Sequence, residues 1–197
     1  MTYFSLDECS HRKCKAYIKA LHRKGEPLKK GKVRMGYTTE FKGALEFNRK
    51  VSPQMIEYIN RFSSTRRMPR DVEKIKKNYP NWKELCFFGE LGYKGEYFAP
   101  ISDDFGQEND DSIIDYNAFK ESVHPSLWCQ WIIEDNRLIW DGGEKFYNYV
   151  EWLEYMIKHF FIPLNYVLNG EIEFQGEDCE DKGVIVVKDN VVTVKAS

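Results

Sequence analysis

The chain has no apolar run approaching the roughly 18 residues that a membrane-spanning helix needs, and its first residues lack the apolar centre of a secretory signal. Both absences lead to the expectation of a soluble, cytoplasmic protein. Cysteine is sparse and scattered: Cys9, Cys14, Cys86, Cys129 and Cys179 are odd in number and lack the spacing of a disulfide scaffold, so reduced thiols are expected. Catalytic signatures are missing too. Gly89, Gly92 and Gly95 do not follow the order of a phosphate-cradling glycine loop, and His124 and His159 stand in no nucleophile context. His159 falls off the apolar stripe of its segment and is expected at the surface. No internal repeat or low-complexity tract occurs.

Charge, in contrast, is plentiful and sorted. Residues 1–34 carry ten Lys/Arg against three acids, residues 35–100 twelve against eight, and residues 101–197 seven against twenty. The balances of +7, +4 and −13 sum to −2, so a nearly neutral total hides a basic front and an acidic back. Sorting of this kind points to partners rather than to fold.

With 42% hydrophobic and 15% aromatic residues in 197, the chain has ample material for one core. Residues 1–34 are read apart. Their Lys/Arg density, the Gly25-Glu26-Pro27 break and the Cys14, Tyr17, Ile18, Leu21 spacing fit a basic helical or poorly ordered leader, ahead of a possible internal start at Met35. Cys9, His11, Cys14 and His22 match no common zinc-finger spacing.

From Tyr37 onward, alternation through Thr39, Phe41, Leu45 and Phe47 predicts a strand with one buried face. Ser52-Pro53 reads as a cap and first-turn proline, opening a helix over 53–62, and Asp71 caps a shorter helix ended before Pro80. Segments 127–134 and 137–140 read as a hairpin turning at Asp135-Asn136. Phe146, Tyr149, Val150, Leu153, Ile157, Phe160 and Phe161 fall at helical spacing and predict a long helix over 144–161. Two more hairpins are expected, turning at Asn169-Gly170 and near Asp189-Asn190. The fold class that follows is α+β: one domain over 35–197, with a mostly antiparallel sheet packed against one long and one or two short helices.

Several strings in this region are distinctive: Gly-Tyr-Thr-Thr-Glu-Phe at 36–41, Phe-Ser-Ser-Thr-Arg-Arg-Met at 62–68, Leu-Trp-Cys-Gln-Trp at 127–131, and Leu-Asn-Gly-Glu-Ile-Glu-Phe-Gln-Gly-Glu-Asp at 168–178. In these the chain resembles a family of small proteins carried by bacteriophages and prophages, over roughly residues 35–197. The resemblance carries over no catalytic residue. It implies a setting, the bacterial host cell, in which accessory proteins bind host machinery.

Two groups of residues are candidate sites. Arg66, Arg67 and Arg70, interleaved with hydroxyls, would suit phosphate contact or a structural ion-pair loop. Asp103, Asp104, Asp110, Asp111 and Asp115, together with Glu177 and Asp178, would form an acidic binding face or two solvated loops; the calcium-loop spacing is absent. The leading expectation is a non-enzymatic protein that binds a host protein or nucleoprotein, such as a defence effector, through its acidic half. No cofactor and no metal are expected under it. The alternative is a metal-dependent nucleotide- or nucleic-acid-processing enzyme, with the arginines on phosphate and Asp103, Asp104 or Asp111 on the metal. Nucleic acid would then meet the arginine loop or the basic leader.

Overall fold

The computed structural model describes residues 36–117 and 124–196. The basic leader, its helix and its Cys/His set therefore lie outside the described residues.

Six strands form one antiparallel sheet: β1 (Thr39–Phe47), β2 (Trp131–Glu134), β3 (Arg137–Trp140), β4 (Leu168–Gly176), β5 (Lys182–Lys188) and β6 (Val191–Ala196), in the order β2-β3-β1-β4-β5-β6. Among the described residues three α-helices accompany it: α1 (Pro53–Ser64), α2 (Val72–Asn78) and α3 (Tyr149–Met156). The protein is thus α+β, as its sequence pattern implies. Each strand alternates a core face with a solvent face. Phe41, Leu45 and Phe47 of β1, Ile172 and Phe174 of β4, and Ile185 and Val187 of β5 pack under Phe62, Trp152, Phe160 and Phe161 from the helical layer. A smaller cluster of Ile75, Leu85, Cys86, Leu91 and Phe98 forms between α2 and the mostly irregular 79–98 segment.

The caps are those the sequence dictates. Ser52 Oγ accepts the Met55 N–H at the start of α1, and Asp71 Oδ1 accepts the Glu73 and Lys74 N–H groups at the start of α2. Asp135-Asn136 and Asp189-Asn190 turn the β2–β3 and β5–β6 hairpins, all four residues lying at positive φ as a type I′ turn requires.

Four expectations are corrected. Asn169-Gly170 is not a turn but lies inside β4. Gly170 pairs with Leu45, and a Cβ there would meet the Ala44 carbonyl oxygen at 2.7 Å; a Cβ on Gly43 of β1, which pairs with Ile172, would meet the Glu171 oxygen at 2.5 Å. Both glycines sit at positive φ, so the dipeptide serves a close approach of β1 and β4 rather than a reversal. The long helix begins at Tyr149, because Asn148 lies in the left-handed region (φ 55°) and Phe146 packs into the core from the preceding loop. It then runs through a π-helical turn, Ile157–Phe161, into a 3-10 turn, Ile162–Leu164, that accommodates Pro163. The first hairpin strand is Trp131–Glu134, shorter than the 127–134 expected. Finally, His159 is half-buried rather than at the surface, since the π-helical turn changes the angular position of its residues.

The two edges of the sheet differ. In a hairpin closed by a two-residue type I′ turn, the residues flanking the turn bond to each other, and every second residue beyond them points its N–H and C=O away from the partner strand. On β2 the outward residues are Ile133 and Trp131. Asn60 of α1 covers them: its Nδ2 donates to the Ile133 carbonyl at 3.0 Å and its Oδ1 accepts the Ile133 N–H at 2.7 Å, while Ser63 Oγ donates to the Trp131 carbonyl at 2.6 Å. Helix side chains thereby take three of the four outward groups that a neighbouring strand would otherwise bond.

Candidate functional site

The two charged segments singled out in the sequence form one structure. Residues 65–71 run beneath residues 101–117 and hold them by main-chain bonds: Arg66 N–H to Phe105 O (2.9 Å), Ile114 N–H to Pro69 O (2.9 Å) and Asp71 N–H to Ser112 O (2.7 Å). Side chains extend this grip. Arg66 donates from Nε and Nη2 to the Tyr116 carbonyl, from Nη2 to Asn117 Oδ1 and from Nη1 to Gln107 Oε1, at 3.0–3.3 Å. Arg70 donates from Nη1 to Asp110 Oδ2 (2.8 Å) and Ser112 Oγ (3.0 Å), and from Nη2 to the Gly106 carbonyl. Lys74 Nζ bonds the Asp111 carbonyl at 3.0 Å and approaches its carboxylate at 3.7 Å.

Burial divides the candidate residues. The Arg70 and Asp110 side chains are only 3% and 7% exposed, which makes their ion pair an internal support rather than a binding contact. Burial by itself would raise the Asp110 carboxyl, but the Ser112 amide, the Tyr79 hydroxyl and Arg70 hold it below the ordinary carboxylate value. Arg67 is enclosed: Nε donates to the Thr65 carbonyl, the guanidinium lies 4.2 Å over the Phe62 ring, and Nη2 has no hydrogen-bond partner. Desolvation lowers its pKa to about 10. Phosphate would therefore have to displace protein partners of Arg66 and Arg70 and enter the core to reach Arg67.

The remaining carboxylates face solvent. Asp103, Asp104, Glu108, Asp111 and Asp115 are exposed, and among the described residues the carboxylates of Asp103 and Asp104 have no hydrogen-bond partner. Large apolar side chains stand between them: Ile101 (77% exposed), Phe105 (56%), Ile114 (62%) and Tyr116 (41%). Phe105 leans edge-on against Trp128, with ring centroids 6.0 Å apart. The second acidic group is separate. Glu177 and Asp178 occupy the β4–β5 turn, where Glu177 Oε1 accepts the Thr38 N–H and the Asp178 N–H donates to Tyr37 Oη. Among the described residues no hydrogen bond or ion pair joins the two acidic segments.

Sequence reasoning missed a buried aromatic and histidine cluster. His124 bonds the Glu96 carbonyl through Nε2 (3.0 Å) and stacks on Trp152, while His159 Nδ1 meets the Tyr97 hydroxyl (3.0 Å) and its ring stacks on Tyr155 at 4.4 Å. Desolvation, with Arg67 nearby, pushes His124 well below the ordinary histidine value. Nothing in a single sequence places residues so far apart together. Cys129 lies fully buried nearby; it touches Ser63 Oγ and Met156 Sδ, and burial pushes its thiol up to about 12, opposite to what a nucleophile needs. Among the described residues no group of three or more His, Cys, Asp or Glu converges as metal ligands do, and no helix is long and apolar enough to cross a membrane.

Comparison with family models, curated proteins and solved structures finds no match to this chain. The functional reading therefore rests on the loop itself. A pinned backbone, unpaired carboxylates and exposed aromatic and aliphatic side chains together make a surface suited to a basic, partly apolar partner.

Proposed function

We propose that the protein is a binding protein whose 101–117 loop docks on a positively charged surface of a host protein or nucleoprotein, in keeping with its resemblance to phage-borne accessory proteins. The observation that supports this reading most is the arrangement of Asp103, Asp104, Glu108, Asp111 and Asp115 around Ile101, Phe105, Ile114 and Tyr116 on a backbone held by Arg66, Arg70 and Lys74. The apolar residues supply desolvated anchors, and the carboxylates steer and select. Pre-formed bonding beneath the loop lowers the ordering cost of association.

The experiment is affinity capture of host proteins on the full chain, beside a variant carrying Asp103→Asn, Asp104→Asn and Phe105→Ala. All three side chains are exposed, so the variant should melt with the parent. The expected result is a partner retained at low salt, released as salt screens charges more than about 10 Å apart, and absent from the variant. A partner captured equally by both proteins, or salt-insensitive capture, overturns the proposal.

A further inference from the structure

The two edges of the sheet point to a second interaction surface, on the far side of the sheet order from β2. In the β5–β6 hairpin the flanking pair Lys188–Val191 and the alternate pairs Val186–Thr193 and Val184–Lys195 bond to each other. Val192 and Val194 accordingly aim their N–H and C=O groups outward. Among the described residues, and unlike Ile133 on β2, no side chain hydrogen-bonds to these groups and no strand lies beyond β6. Val191 and Val194 are 62% and 48% exposed. This edge has no proline, bulge or inward-pointing charge; of the usual devices that block strand addition it carries one, the solvent-facing Lys195, which repels a basic strand but not an acidic one.

Charge selects the occupant. Lys182 and Lys188 of β5 and Lys195 of β6 share the solvent face, and neither strand contains a carboxylate. Paired antiparallel through β6 with Val192 opposite Val194, a second copy would set Lys195 opposite Val191 and offer it no carboxylate, whereas an acidic segment would; Glu171 and Glu173 of β4 share the solvent face but lie two strands in from the edge. We infer that β6 accepts an extended acidic segment of a partner protein, adding it as a seventh strand. Apolar side chains of that segment would lie opposite Val192 and Val194, and a Glu or Asp would lie opposite Lys195. Main-chain bonds would supply affinity, and the alternation of the added strand would supply selectivity. This surface is independent of the 101–117 loop, so either proposal can fail without the other.

The test uses a short labelled peptide of alternating Val and Glu, with an alternating Val and Lys peptide as control, read by fluorescence polarisation against the full chain. Amide exchange is followed at Val192, Thr193 and Val194. The Val–Glu peptide is expected to bind and to slow exchange at Val192 and Val194, while Thr193, already bonded to Val186, changes little. Val194→Pro removes an outward donor without removing a bond to β5, and it should weaken binding by at least about tenfold. Lys195→Glu, an exposed change that leaves the hairpin bonds intact, should reverse the preference toward the Val–Lys peptide. No binding of the Val–Glu peptide, or equal binding by the parent and both variants, overturns the inference. A concentration-dependent dimer that Val194→Pro abolishes, with no peptide binding, assigns the edge to a second copy and overturns it equally.

Discussion

At the scale of single residues, Arg67 and Arg70 show how neighbours in sequence take opposite energetic roles. Arg70 is paired: removing it leaves Asp110 charged, almost fully buried and supported by Tyr79, Ser112 and a long 3.4 Å bond from the Asn78 amide. Arg70→Met should therefore cost about 3–5 kcal/mol. Arg67 has one Nε bond, a ring beneath it and an unpartnered Nη2, so much of what methionine would give up is offset by relief of desolvation. Arg67→Met should stay within about 1 kcal/mol of the parent. Urea denaturation midpoints of the two variants check the ordering, and equal losses would show that Arg67 is held by more than these contacts. His124 sets a pH dependence. Its folded pKa is depressed below the ordinary 6.5, chiefly by burial, so its contribution is complete above about pH 6.5 and is lost as pH falls below that value. Stability should drop by up to about 1.4 kcal/mol per pH unit in that range. His124→Gln should flatten the slope, whatever it does to stability at neutral pH.

At the scale of elements, one asparagine fastens α1 to the sheet. Asn60→Ala leaves the Ile133 N–H and C=O without partners in a part-buried setting, and a loss of about 2–3 kcal/mol is expected. Asn60→Asp should be no better, because a carboxylate oxygen would face the Ile133 carbonyl where an amide donor now stands. Melting temperatures of the two variants, with Ser64→Ala as an exposed control on the same helix, check this. Gly170→Ala should cost about 1–3 kcal/mol, since its Cβ would press on the Ala44 oxygen at a φ of 143°. The same glycine marks what a sequence can and cannot reveal. β1, both helix caps and the two Asp-Asn turns are local matters, fixed by alternation, side-chain oxygens and tolerance of positive φ, and all were legible. Asn169-Gly170 carries the same local signal, but the deciding contact is with Ala44, more than a hundred residues away in the chain. The 101–117 loop was half legible for the same reason. Its carboxylates and the arginines stood out separately, whereas the bond between Arg70 and Asp110 that makes one the foundation of the other is tertiary.

At the scale of the molecule, charge sorting resolves into layers of different accessibility. The basic residues of 66–74 are largely spent inside or beneath the loop, while the acids above them are left to solvent, so the outward potential of this region is more negative than its composition implies. Replacing Asp110, the one carboxylate of the loop that is buried against Arg70, should reduce stability, whereas neutralising Asp103 and Asp104 should leave stability within about 0.5 kcal/mol and change only salt-dependent association. Thermal melts beside binding measurements at two salt concentrations separate the two effects. The unequal edges of the sheet bear on a different property. Growth of a β-sheet assembly from identical units requires two joinable ends per unit, and here Asn60 and Ser63 cap one of them. In the language of polymer chemistry the described sheet is a monofunctional monomer: whatever joins at β6, propagation by edge pairing is blocked at β2 by the Asn60 and Ser63 bonds and should resume once the Asn60 cap is removed.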